Sequence, residues 1–270
     1  MDILRYTFFQ NALWASFFIS LACGIAGTYV VSRRIVFISG GITHATFGGL
    51  GMGFYFGINP LLSALLFALL SAFGVEYLSH SGGYRQMRED SVIAAIWSFG
   101  MAIGVVFIVL TPGYAPNLSA FLFGNILTVT KNDLFWMALL SVGILLLYVF
   151  GKRAIVYTAF DRDFAFTQHL PVRLIEYLMM FFIAAVIVLS IRLVGIMLLM
   201  SMLTIPQMTV NLFTSNYYKI TVISCVVGLF GCIAGLLLSY FFNIPSGAFI
   251  ILILILLFLI AKISRRIISV

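Results

Sequence analysis

Among the acidic, basic and histidine residues, only His44 lies deep inside a long apolar segment. A charged side chain near the middle of a membrane costs roughly 2.5 kcal/mol or more, so such residues are usually functional. Glu76, His80 and Glu176 lie near the ends of apolar runs, where water is expected to reach them. Because a neutral imidazole is a good ligand for zinc-like ions, His44 is the first candidate for metal binding.

Small residues surround His44 throughout the segment Ser39–Gly53. At helical spacing, Gly40, His44 and Gly48 share one face of a helix. Such a face either lets a neighbouring helix pack closely or leaves a cavity beside the imidazole. Both interpretations stay open, and Thr43 joins the two glycines as a candidate lining residue of an ion path.

The sequence motifs expected of an ATPase or of a zinc hydrolase are missing. Gly151-Lys152 is followed by Arg153 where a phosphate-binding loop needs Ser or Thr, and no glycine stands five residues earlier. The three histidines are too scattered for an H-E-x-x-H zinc motif. We therefore predict a non-catalytic subunit, with any ATP hydrolysed by another chain. The three cysteines form no C-x-x-C pair and are interpreted as packing residues.

Composition indicates the surroundings of these residues. Hydrophobic residues make up 63% of the chain and charged residues 9%, against about 45–50% and 25% in soluble domains. A chain of 270 residues fits roughly nine helical crossings. We predict an all-α, polytopic transmembrane bundle that forms a single domain over residues 1–270 in the cell membrane. The predicted spans cover residues 8–31, 35–56, 60–78, 91–110, 134–150, 175–191, 193–212, 220–242 and 248–260.

The net charge of +7 is explained by topology, since basic residues near span ends are retained in the cytoplasm. With nine spans, only Arg5, Lys131 and Arg192 among the 15 basic residues fall on the outer side. The C-terminus is then cytoplasmic and the N-terminus external, and no nucleic-acid-binding surface is indicated. The longest inner loop, residues 151–173, is either a docking surface for a cytoplasmic partner or an ordinary connector. In the long outer loop, residues 118–127 are expected to form a short interfacial or re-entrant helix.

Six segments of the chain form a colinear set of motifs. Phe37–Ala45 resembles Gly-Asp-x-Leu-x-His-Ala, and Arg88–Ile93 resembles a span entry of the form Glu-Asp-Thr-Ala-Ile. Phe121–Leu127 resembles Leu-Phe-Gly-x-Ile-Leu. The remaining segments are Phe160–Ala165, similar to Phe-Asp-x-x-Phe-Ala; Arg192–Leu198 with Pro206, similar to Val-Gly-x-Leu-Leu ending in Ile-Pro; and Ile244–Ala248, similar to Leu-Pro-Ser-Gly-Ala.

Together these motifs resemble the permease subunits of metal-type ABC importers, which take up zinc and manganese. The resemblance implies a homodimer that binds two cytoplasmic ATPases and receives metal from an external binding protein. It implies that the metal is transported cargo, touched transiently by His44, and that no cofactor is bound. It also assigns contact with the ATPase to Phe160, Asp161, Asp163, Phe164 and Ala165.

Two departures from the family pattern concern the metal. The family commonly has an acidic residue where this chain has Gly40, and another where it has Asn117, a further candidate lining residue. A neutral imidazole with carbonyl or methionine sulfur ligands suits zinc better than manganese. We therefore expect zinc as the cargo, with manganese next.

Two other classes of transporter stay open at this stage. One is an ABC permease for a metal chelate such as haem, cobalamin or a siderophore, which motif spacing alone does not exclude. The other is a secondary transporter driven by an ion gradient, although such folds often show internal repeats and none is evident here. The segment at residues 161–165 would have no role in a secondary transporter.

Overall fold

The computed structural model describes residues 6–80, 89–112, 124, 126–242 and 244–268. Within these ranges the regular structure is helical, without strands, which confirms the predicted all-α class. The helices are α1 (Thr7–Ser32), α2 (Val36–Phe56), α3 (Pro60–His80), α4 (Glu89–Leu110), α5 (Lys131–Phe160), α6 (Arg162–Thr167), α7 (Val172–Asn211), α8 (Tyr217–Phe242) and α9 (Ser246–Ile268), with a 3-10 turn at Ile126–Thr128.

In the described part of the chain, eight stretches are long and apolar enough to cross a membrane. Two of them, Val172–Ile191 and Leu193–Asn211, are the two halves of α7. The glycine-rich helix α2, 21 residues long, is not among these eight stretches and packs against α3, α4 and α7. Eight stretches are roughly consistent with the predicted count of about nine spans.

Helix α7 is broken at Gly195, where the chain turns back. Glu176, early in α7, is bonded to Arg33 at the end of α1, whereas Gln207, late in α7, is bonded to Cys23 in the same helix. Between them, Gly195 adopts φ 76° and ψ 167°, a backbone conformation that is essentially restricted to glycine. A Cβ on Gly124 of the outer loop would collide with the backbone of Gly195. Two glycines therefore permit the close approach at which the sixth span ends and the seventh begins.

The seventh span is attached to α1 by a side chain that also repairs a gap in the helix. Pro206 has no N–H to donate to the carbonyl of Met202, four residues earlier. The side-chain Nε2 of Gln207 donates to that carbonyl at 3.3 Å and to the carbonyl of Cys23 at 2.9 Å. Gln207 is fully buried. Its burial and its two hydrogen bonds indicate that it joins α7 to α1.

Helix α5 extends well beyond the predicted fifth span. Its 30 residues are about 45 Å long at 1.5 Å per residue, whereas the hydrocarbon core of a bilayer is about 30 Å thick. The helix continues past Lys152 and Arg153 to Phe160, and α7 already begins at Val172. The segment 151–173, predicted as a loop, is thus largely helical because a charged residue ends the membrane-embedded part of a helix without ending the helix itself.

The cysteines lie inside the bundle as predicted. Cys23 and Cys232 are buried, Cys225 is half-buried, and all three thiols are free. Cys232 Sγ lies 3.9 Å from the hydroxyl of Ser20 on α1. These contacts join α8 to α1, which agrees with the interpretation of the cysteines as packing residues.

Candidate functional site

The imidazole of His44 stacks on an aromatic neighbour. It stacks on the indole of Trp97 in α4, with ring centroids 4.2 Å apart and planes inclined by 7°. Its Nδ1 atom is buried and has no hydrogen-bond partner among the described residues. The stacking fixes the orientation of the ring. The residue as a whole is only partly exposed.

A methionine sulfur lies one helical turn from His44. A Cβ built on Gly40 would lie 3.0 Å from Cε and 3.6 Å from Sδ of Met200, which belongs to the second half of α7. The same Cβ would lie 3.7 Å from the indole of Trp97. The side chains of Met200 and Trp97 therefore occupy the space beside Gly40.

Gly48 does not leave open space in this conformation. A Cβ at Gly48 would lie 2.8 Å from the carbonyl oxygen of Gly100 and 3.0 Å from the ring of Phe67. Gly48 thus brings α2 close to α4 and α3, which is the packing interpretation of the small-residue face. Thr43 is also fully buried, and its hydroxyl donates to the carbonyl of Ser39 within the same helix. Asn117 lies outside the described residues.

Met200 belongs to a partly exposed face of α7 that the sequence interpretation did not identify. Its members recur every three or four residues and carry sulfur or hydroxyl groups: Met197, Met200, Ser201, Thr204 and Met208. The hydroxyls of Ser201 and Thr204 donate to carbonyls one turn back, at 3.0 Å and 2.9 Å. The helical spacing of these residues was the available sequence signal. The placement of Met200 beside Gly40 of α2 is a tertiary feature that the spacing alone does not show.

The segment that resembles an ATPase contact forms the end of α5 and the short helix α6. Asp161 caps α6 by accepting a hydrogen bond from the backbone N–H of Phe164 at 2.9 Å. Ala165 is buried, which fixes α6 against the bundle, whereas Phe160 and Phe164 are 60% and 45% exposed. Asp163 is exposed next to these rings. The result is an apolar patch within a polar rim, the composition typical of a protein contact.

Glu76 and Glu176 differ from the expectation that water reaches them. Glu176 Oε1 lies 2.7 Å from Arg33 Nη2, and its Oε2 lies 3.0 Å from Arg162 Nη2. Glu76 Oε1 lies 3.7 Å from Arg33 Nη2. Both carboxylates are buried, and pairing with arginines makes the burial of their charge tolerable. We call Arg33, Glu76, Arg162 and Glu176 the arginine–glutamate cluster.

The fold defines a class of protein, a polytopic helical membrane protein. Residues 5–265 match the ABC 3 transport family. The chain belongs to this family, and it is a metal-type ABC transport permease and a multi-pass protein of the cell membrane.

Known relatives cover nearly the full chain. An uncharacterized membrane protein of Synechocystis is 38% identical over 98% of this chain and 94% of its own length. The manganese transport system membrane protein MntC of Halalkalibacterium halodurans is 29% identical over 96% of this chain and 88% of its own. Among solved structures, a chain of PsaBC from Streptococcus pneumoniae in complex with Fab superimposes with a TM-score of 0.84 at 28% identity, covering 96% of this chain and 92% of that chain.

Proposed function

We propose that this chain is the membrane-spanning subunit of an ATP-driven importer for divalent metal ions, with zinc as the cargo. The observation that supports the metal is the site on α2. There Nδ1 of His44 has no hydrogen-bond partner among the described residues, and the thioether of Met200 lies beside Gly40, one helical turn before His44. Imidazole and sulfur ligands suit zinc, whereas manganese prefers carboxylate and other oxygen ligands.

The small number of ligands fits passage better than storage. Among the described residues, no group of three His, Cys, Asp or Glu side chains is placed to hold a metal ion. A conduit must bind its ion weakly enough to release it. We propose that His44 touches the ion transiently in a path between two copies of the chain, with Gly40 leaving room for the side chain of Met200.

In this proposal, separate partner proteins supply the energy of ATP hydrolysis and deliver the metal ion. Two cytoplasmic ATPases bind the exposed rings of Phe160 and Phe164, and an external metal-binding protein delivers the ion. The chain itself hydrolyses nothing, in keeping with the absent phosphate-binding loop. Membership of the ABC 3 transport family supports a complex of this type.

Transport by the purified complex tests the proposal. The chain is co-expressed with its ATPase and external binding protein and reconstituted in vesicles, and uptake of zinc and manganese is measured with and without ATP. We expect ATP-dependent zinc uptake, and no nucleotide binding by the isolated chain. Saturable nucleotide binding to the chain alone would contradict its non-catalytic assignment.

Manganese is the competing outcome, because the similar protein MntC belongs to a manganese transport system. If manganese uptake exceeds zinc uptake at equal free concentrations, the zinc assignment is wrong and the importer assignment stands. A parallel uptake measurement supplies the metal as a haem, cobalamin or siderophore complex. Comparison with uptake of the free ion separates transport of the ion from transport of a chelate.

A further inference from the structure

One buried carboxylate connects the proposed docking helix to the membrane bundle. Glu176 of α7 binds Arg33, which follows α1, through Oε1 at 2.7 Å. Its second oxygen, Oε2, binds Arg162, the first residue of α6, at 3.0 Å. Arg33 also lies 3.7 Å from Glu76 of α3 and donates to the hydroxyl of Tyr29 at 3.0 Å. Four segments of the chain therefore meet at Glu176 and Arg33.

The cluster is balanced in charge and shielded from water. Two arginines face two glutamates, and the side chain of Glu176 is 2% exposed, whereas that of Arg162 is 32% exposed. Both oxygens of Glu176 already accept from guanidinium groups, so this carboxylate is occupied and is not positioned as a metal ligand. Hydrogen bonds between charged groups are short and directional, so they suit a mechanical link.

The link reaches the helix that carries His44. Arg33 and Arg34 form a tight turn between α1 and α2, in which the N–H of Ile35 donates to the carbonyl of Val30 at 3.0 Å. Arg34 adopts φ 61° in this turn, and α2 begins at Val36. With so little slack in the chain, a displacement of Arg33 must act on the start of α2.

We propose that Arg162 and Glu176 are positioning residues that transmit movement of the docking helix α6 through Arg33 to α2 and its metal path. This proposal rests on the proposed function, since it requires an ATPase at α6. Packed networks with two discrete arrangements are a physical means of such coupling. An ATPase that pulls on α6 moves Arg162, and Glu176 passes the movement to α2 and α7.

The test measures metal uptake per ATP hydrolysed by the reconstituted complex. Arg162→Gln should lower this ratio about tenfold, as expected for the loss of a hydrogen bond between charged groups, while the ATPase stays bound and active. Arg162→Lys keeps the charge and should cause a smaller loss. The control is Arg173→Gln. Arg173 is an exposed arginine one turn before Glu176 in α7, and its replacement should leave the ratio unchanged.

A second variant separates transmission from direct contact with the ATPase. Glu176 is too buried to touch a partner, so a lower ratio in Glu176→Gln would not come from lost contact with the ATPase. We expect Glu176→Gln to lower the ratio, and the double variant Arg162→Gln/Glu176→Gln to be no worse than Glu176→Gln alone. The proposal is overturned if Arg162→Gln behaves like Arg173→Gln, or if its loss of uptake matches a loss of ATPase binding. Failure of the proposed function is distinguishable, because the wild-type complex would then transport no metal.

Discussion

Two regions of this apolar bundle hold buried polar side chains, the arginine–glutamate cluster and the surroundings of His44. They differ in whether the polar groups are paired. In the cluster, every charged group faces an opposite charge, and Glu176 is bonded through both oxygens. Beside His44, by contrast, an aromatic ring fixes the imidazole while Nδ1 lacks a partner among the described residues. A fully paired group is suited to holding helices together, whereas an unpaired one is available to a passing ligand. The following predictions test this contrast.

The largest effect is expected from Glu176→Ala. The substitution leaves Arg33 and Arg162 without their shared carboxylate in a buried place, so we expect a loss of about 3–5 kcal/mol in the free energy of unfolding. Denaturant or thermal unfolding in detergent measures it. The control Arg173→Ala removes an exposed charge nearby and should change stability by no more than about 0.5 kcal/mol. Equal stability of the two variants would show that the cluster does not join the helices.

Gly195→Ala should have the next largest effect on stability. Alanine does not readily adopt φ 76° and ψ 167°, and such strain costs about 1–3 kcal/mol. The matched control is Gly74→Ala in α3, where the nearest atom to a new Cβ is 4.0 Å away and a gain of up to about 1 kcal/mol is expected. Melting temperatures in detergent compare the two variants. A stable Gly195→Ala protein would contradict the helix break.

Phe164→Ala should act on partner binding and leave the fold intact. Its ring is 45% exposed, and loss of an apolar anchor at an interface typically costs more than 1 kcal/mol, or several-fold in affinity. Co-purification with the ATPase and uptake per ATP measure the effect. The control is Phe241→Ala, which removes an exposed ring at the outer end of α8. If both variants bind the ATPase equally well, the docking patch lies elsewhere.

Much of the fold could be predicted because its apolar runs are separated by short polar segments. The predicted boundaries failed where a helix continues outside the membrane, since Lys152 and Arg153 mark a change of solvent and not the end of α5. The predicted sixth and seventh spans are separated only by residue 192, whereas the structure places the helix break at Gly195. The backbone conformation of Gly195 depends on the contact with Gly124, which local sequence does not reveal.

The candidate site could be predicted only in part, because contacts between distant segments are not visible in the local sequence. The depth of His44 in its span is a local property and was visible in the sequence. Trp97 and Met200 come from α4 and α7, so their positions beside α2 depend on tertiary packing. The burial of Glu76 and Glu176 was missed because their neutralising partner Arg33 is distant in sequence from both.

We infer that His44 contacts the transported metal ion and is not a packing residue of the bundle. Uptake of radioactive zinc by the reconstituted complex is measured for wild type, His44→Ala and His44→Asn. We predict that both variants lower uptake at least about tenfold, as for lost metal-site contacts, while melting temperature and ATPase binding stay at the wild-type values. Asn can replace a hydrogen bond between helices but is a poor zinc ligand, so full uptake by His44→Asn would contradict the metal path and make His44 a structural residue.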